Sequence, residues 1–170
     1  MENSKQRKVV VIGFGNTLMG DEGVGAYVAQ ELQKSNVKVP DSCKLEIIDG
    51  GTAAFDVFLS LRDVSSLVII DAMKGSKEAG GLYRYTYADV KKLISPNKDS
   101  ISLHDLNIIE ALAMYEKLED FPEDIVFIGV EPAEIKLKMG LSEVIKDKIP
   151  DITRMVIKEV NRVSITTEAD

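Results

Sequence analysis

The chain has 170 residues, 45% of them apolar and 29% charged, the balance of a globular protein rather than a disordered one. A net charge of −7 without basic clusters argues against nucleic acid and anionic membrane surfaces as partners. One cysteine, Cys43, excludes an intramolecular disulfide and a Cys-rich zinc centre, and one histidine, His104, excludes any mechanism that needs two.

In chain order, Met1 to Lys8 is polar, and Val9-Val10-Val11-Ile12 reads as a strand. That run is too short for a signal-peptide core, and nothing approaches the roughly 18 apolar residues of a membrane span, so a cytoplasmic protein is expected. Val24, Val28 and Leu32 recur at helical spacing after Asp21, a residue suited to an N-cap. Leu45-Glu46-Ile47-Ile48 is a second strand, Phe55, Phe58, Leu59 and Arg62 suggest a short helix, and Leu67-Val68-Ile69-Ile70 is a third strand. Leu82 to Tyr87 alternates and suits an edge or antiparallel strand. Leu106, Ile109, Leu112 and Ala113 mark a helix with Ser102 as its cap. Ile125-Val126-Phe127-Ile128 is another strand, and Ile152, Met155, Val156, Val160 and Val163 mark a last helix with Pro150 in its first turn. The four apolar runs read as strands buried on both faces, and strands alternating with helices predict a three-layer αβα sandwich. One domain over residues 1–170 is expected, frayed at 1–7 and 164–170.

In such folds ligands gather beyond the carboxyl ends of the strands. There the sequence places Gly13 to Gly25, then Asp49-Gly50-Gly51-Thr52, then Asp71-Ala72, with His104 opening a helix. The first loop partly matches a dinucleotide fingerprint, but Leu18 stands where the third glycine belongs. Asp21 and Glu22 would also repel a pyrophosphate at the helix start. These two acids have a structural reading, as cap and as dipole complement. Asp71 closes a fully apolar strand, where an unpartnered carboxylate is expensive. His104 near a helix N-terminus favours neutral imidazole, the ligand form. Glu22, Asp71 and His104 together would make a two-carboxylate, one-histidine site with open positions, suited to Ni²⁺ or Zn²⁺. No G-x-S-x-G elbow is present, and Cys43, at the amino end of a strand, reads as a small buried hydrophobe.

GFGNTLMGDEGVG, LEIIDGGTA, LVIIDAM, SLHDL and VFIGVEP, in that order, resemble the hydrogenase maturation endopeptidases. The resemblance implies a five-stranded, mostly parallel twisted sheet with one antiparallel strand, of the phosphorylase/hydrolase-like kind. It implies a single cut that removes a C-terminal extension from the large-subunit precursor of a nickel–iron hydrogenase after nickel insertion. The family's metal-binding residues fall on Glu22, Asp71 and His104, and its Asp-Gly-Gly-Thr stretch on Asp49 to Thr52. Asn16, Asp49, Gly50, Gly51 and Thr52 are expected to bind substrate, the glycines permitting close approach of an extended peptide. Nickel would be carried by the precursor and contacted by the protein, and Asp71 is the best candidate for the water-activating group. Leu103 stands where the family often has proline. Two other readings stay open: a nickel-dependent binding or chaperone protein that does not cut, and a nucleotide-using α/β enzyme.

Overall fold

The computed structural model describes residues 6–93 and 103–165, with backbone only at 103–106. Among them are five strands, β1 (Arg7–Phe14), β2 (Cys43–Gly51), β3 (Ser66–Ala72), β4 (Leu82–Thr86) and β5 (Asp124–Val130). They form one sheet in the order β2-β1-β3-β5-β4, parallel throughout except that β4 runs antiparallel to β5. The helices are α1 (Val24–Lys34), α2 (Ala54–Ser60), α3 (Tyr87–Leu93), α4 (Leu103–Tyr115) and α5 (Glu143–Ile165).

Strand alternation sorts the apolar side chains into two cores. Val9, Val11, Val68 and Ile70 pack with Val28 and Leu32 of α1 and Ile152 and Val156 of α5. Val10, Ile12, Leu67 and Ile69 pack with Phe58 of α2 and Ile108, Leu112 and Tyr115 of α4. Phe58 anchors the second core, edge-on to Phe14 at 5.5 Å and stacked on Tyr115 at 6.1 Å. Each fully buried side chain of this size contributes about 2–3 kcal/mol. The expected three-layer sandwich with one antiparallel strand is the observed architecture. No helix of the described residues is long and apolar enough to cross a membrane.

Several expectations need correction. β2 is an edge strand, so Leu45, Ile47 and Ile48 are only half-buried. The fourth strand stops at Thr86, because Thr86 and Asp89 close a reciprocal cap that starts α3 at Tyr87. Phe55 and Leu59 of α2 face solvent, while Phe58 and Ala54 bury. α5 begins seven residues before Pro150, which lies inside the helix. The missing N–H costs one helical bond, but Ile145, Ile152, Val156 and Val160 continue one buried stripe across it. Arg7 already belongs to β1, and Ser164 is buried with its hydroxyl 3.3 Å from the Cys43 thiol, so the expected frayed ends were drawn too wide there. Ser102 and residues 166–170 lie outside the described residues.

Candidate active site

From β1 the chain crosses to β2 on one side and then returns to β3 on the other. The strand order therefore reverses between β1 and β3, and open α/β sheets bind ligands beyond the carboxyl ends of the strands at such a point. Glu22 follows β1 in a 3₁₀ turn, Gly20–Gly23, and Asp71 closes β3. Backbone fit draws the two segments together. A Cβ on Gly25 would lie 2.2 Å from the Phe14 carbonyl oxygen and 2.3 Å from that of Ile70. Without one, the start of α1 presses directly onto β1 and β3, one residue short of Asp71. Gly15, at φ +140°, lets the Glu22 carbonyl come so close that a Cβ would meet it at 2.0 Å.

Asp71 is buried. Val68, Ile70 and Ala72 belong to the α1–α5 core and Leu67 and Ile69 to the other, so alternation sets Asp71 on the face covered by α2 and α4. It accepts a hydrogen bond from the Ala72 N–H at 2.9 Å. Its partner in register on β5 is Gly129, and the space above that glycine is taken by Met73.

His104 falls in the first turn of α4, and its side chain lies outside the described residues. The helix backbone still places it. Asn107, one turn further on, and Ile108 line a small recess with Phe14, Gly51, Thr52 and Ala54. The first turn of α4 thus stands at the same end of the sheet as the Asp49 to Thr52 stretch, on the face that carries Asp71. Among the described residues no three His, Cys, Asp or Glu side chains gather as a metal site, and the His104 side chain is not among those described.

Of the expected substrate-binding residues, Gly51 and Thr52 line that recess. Asp49 accepts from Gln30 Nε2 at 2.8 Å and from the Gly51 N–H at 3.1 Å, an Asx-type turn that sets Gly51 at φ +50°. Gly51 in turn accepts from the Gly15 N–H at 2.8 Å, which ties this stretch to the loop that holds Glu22. Gly50 is buried against the Phe14 ring, while Thr52 is exposed. Asn16 Oδ1 accepts from the Leu18 N–H at 3.0 Å and shapes the first loop.

Two acids behave differently from the expectation. Asp21 is not an N-cap of α1, whose cap position is Gly23. Its carboxylate, wholly buried, accepts from the backbone N–H groups of Ala133, Glu134 and Ser142 at 2.7–3.0 Å and from the Ser142 hydroxyl at 2.9 Å. It joins the first loop to the segment between β5 and α5. Glu131, just beyond β5, is a buried acid to which no role was assigned. It accepts a bond from the Tyr83 hydroxyl and one from the Gly75 N–H at 2.8 Å. Burial, and then that bond, push the Tyr83 hydroxyl up from its ordinary value, so it stays protonated and donates. An acid just past an apolar strand, the signal that singled out Asp71, was equally present at Glu131.

A family model described as hydrogenase maturation protease matches residues 26–159, a span that includes Asp71 and His104 and begins after Glu22. The chain is 27% identical over 150 residues to the hydrogenase 2 maturation protease of Escherichia coli, covering 88% of each. It is 30% identical over 152 residues to the hydrogenase expression/formation protein HupD of Thiocapsa roseopersicina, covering 89% of this chain and 66% of that relative. Among solved structures, the hydrogenase maturating endopeptidase HybD from E. coli superposes with a TM-score of 0.78 at 28% identity, over 93% of this chain and 94% of that one.

Proposed function

Because the chain belongs to the hydrogenase maturation protease family, we propose that it removes the C-terminal extension of a nickel–iron hydrogenase large-subunit precursor once nickel is in place. The relatives' names support a peptide-bond hydrolase acting on a hydrogenase precursor. The observation that carries the finer reading is that the turn holding Glu22 and the end of β3 holding Asp71 adjoin at the carboxyl ends of β1 and β3, the end of the sheet where α4 has His104 in its first turn. In this reading the nickel belongs to the substrate. Glu22, Asp71 and His104 complete its coordination and so dock a precursor only when it is loaded. An extended peptide then runs along Asp49 to Thr52, close to the glycine backbone, beside the Asn16 loop.

Hydrolysis needs a water oxygen delivered to the scissile carbonyl carbon. Asp71 accepts the water's proton as attack proceeds, the C–N bond breaks, and the proton passes to the leaving amine. Substrate nickel polarises the carbonyl. The buried free thiol of Cys43, outside any disulfide, suits a reducing compartment, and we place the protein in the cytoplasm on that ground.

The test is to mix the purified protein with nickel-loaded and nickel-free precursor and to weigh the products by mass spectrometry. One cut near the precursor's C-terminus, in the loaded sample alone, is expected. Binding of the loaded precursor without any cut would instead identify a nickel-dependent binding protein.

A further inference from the structure

We infer that the parallel ribbon formed by Leu18–Gly20 and residues 137–139 is a docking surface for an apolar segment of the precursor that flanks the cleavage site. This rests on the proteolytic reading above and extends it from the reacting centre to the body of the substrate. Met19 and Lys138 form a parallel bridge, with the Gly20 N–H donating to the Lys138 carbonyl at 2.8 Å and the Lys138 N–H to that of Leu18 at 3.0 Å. Leu18 precedes Met19, and Leu137 and Met139 flank Lys138, so three apolar side chains lie about this one bridge. All three are exposed: Leu18 by 50%, Leu137 by 84% and Met139 by 75%. Exposed apolar side chains gathered at one place mark an interaction site more often than a scatter of single residues does.

Three features say what covers it. The ribbon is built from the loops that leave the carboxyl ends of β1 and β5, the end of the sheet where the candidate site lies, and it runs through Asp21 directly into Glu22. The four bonds to the Asp21 carboxylate hold the ribbon rigid, so docking does not have to order it. A polypeptide seated at Glu22 therefore passes over a preformed apolar strip. Charge argues against a lipid surface. Lys136 and Lys138 are both tied to Glu134, at 2.6 and 3.1 Å, and the whole chain is acidic.

The experiment measures processing of nickel-loaded precursor by the wild type and by the double variant Leu137→Glu/Met139→Glu, with a thermal melt of each. Because both side chains are exposed, the melt should not move; Leu137→Ser/Met139→Ser replaces the pair if it does. The expected result is a KM raised about tenfold or more, with kcat within about twofold of wild type. Unchanged KM in a cutting enzyme would overturn the docking surface and leave the proteolytic reading standing. A wild type that does not cut would overturn both. Sedimentation and vesicle flotation, run alongside, resolve the other occupants. A dimer, or binding to anionic vesicles, that the substitutions abolish while KM stays at the wild-type value would assign the ribbon to a second copy or a membrane, against the inference.

Discussion

Asp21 and Ser142 stand 121 positions apart and meet through two hydrogen bonds, 2.7 Å from the Ser142 amide and 2.9 Å from its hydroxyl. The same hydroxyl receives a bond from the Ile145 N–H at 3.4 Å, so one serine both holds the carboxylate and caps α5. Through this contact the loop that carries Glu22 is fixed to the longest helix of the fold. Ser142→Ala should cost about 1–2 kcal/mol, because Asp21 keeps its three backbone donors. Asp21→Asn should cost more, about 2–4 kcal/mol, because an amide presents its own N–H groups to buried N–H donors. Chemical denaturation of both variants checks the order, and equal losses would contradict it.

Glycine substitutions separate packing from backbone conformation. Gly25→Ala places a methyl within 2.3 Å of two strand carbonyls, backbone atoms that cannot step aside. It should destabilise by about 3 kcal/mol or more and shift the start of α1, with the turn that carries Glu22, away from β3. Gly51→Ala meets no described atom within 4 Å and bears only its φ of +50°, a cost of about 1 kcal/mol. Melting curves of the two should differ widely, and a mild Gly25→Ala would show that α1 can slide off the sheet.

The carboxylate of Glu159 is buried between two guanidinium groups, Arg84 at 2.6 Å and Arg162 at 2.8 Å. Burial alone would raise its pKa, but the bonds from Arg84 and Arg162 together lower it. A folded-state pKa below the unfolded value of about 4.3 gives stability that is present above that value and lost as pH falls through the folded pKa. Glu159→Gln should therefore trail the wild type by about 2 kcal/mol at neutral pH, since both arginines are partly exposed and can hydrate. The gap should close below about pH 4. Urea titrations at the two pH values measure it, and a gap that widens in acid would contradict the sign.

The buried place of Asp71 at the carboxyl end of β3 was legible, because an apolar run leads straight into it. Asp21 and Glu22 read alike in the sequence, as a pair of acids at one helix start. What distinguishes them is a bonding segment more than a hundred residues away, which no local pattern encodes. The edge position of β2 was hidden for a similar reason: Leu45-Glu46-Ile47-Ile48 resembles its neighbours in composition, and only pairing order exposes it. The start of α3 was written locally, in Thr86 and Asp89, yet the alternation of Tyr83, Tyr85 and Tyr87 masked it. The recess beside Asn107 joins α4 to the loop after β2, a contact between segments more than fifty residues apart.

In the proposed function His104 joins Glu22 and Asp71 around the nickel of the substrate. The most direct measurement is the rate at which His104→Ala cuts nickel-loaded precursor, followed on a gel beside a thermal melt. α4 keeps Ile108, Ala111, Leu112 and Tyr115 in the core, so the melt should stay within about 1 kcal/mol of wild type. Cleavage should fall at least about a hundredfold, because one of three protein contacts to the metal is gone. A variant that melts normally and cuts at the wild-type rate would contradict the account.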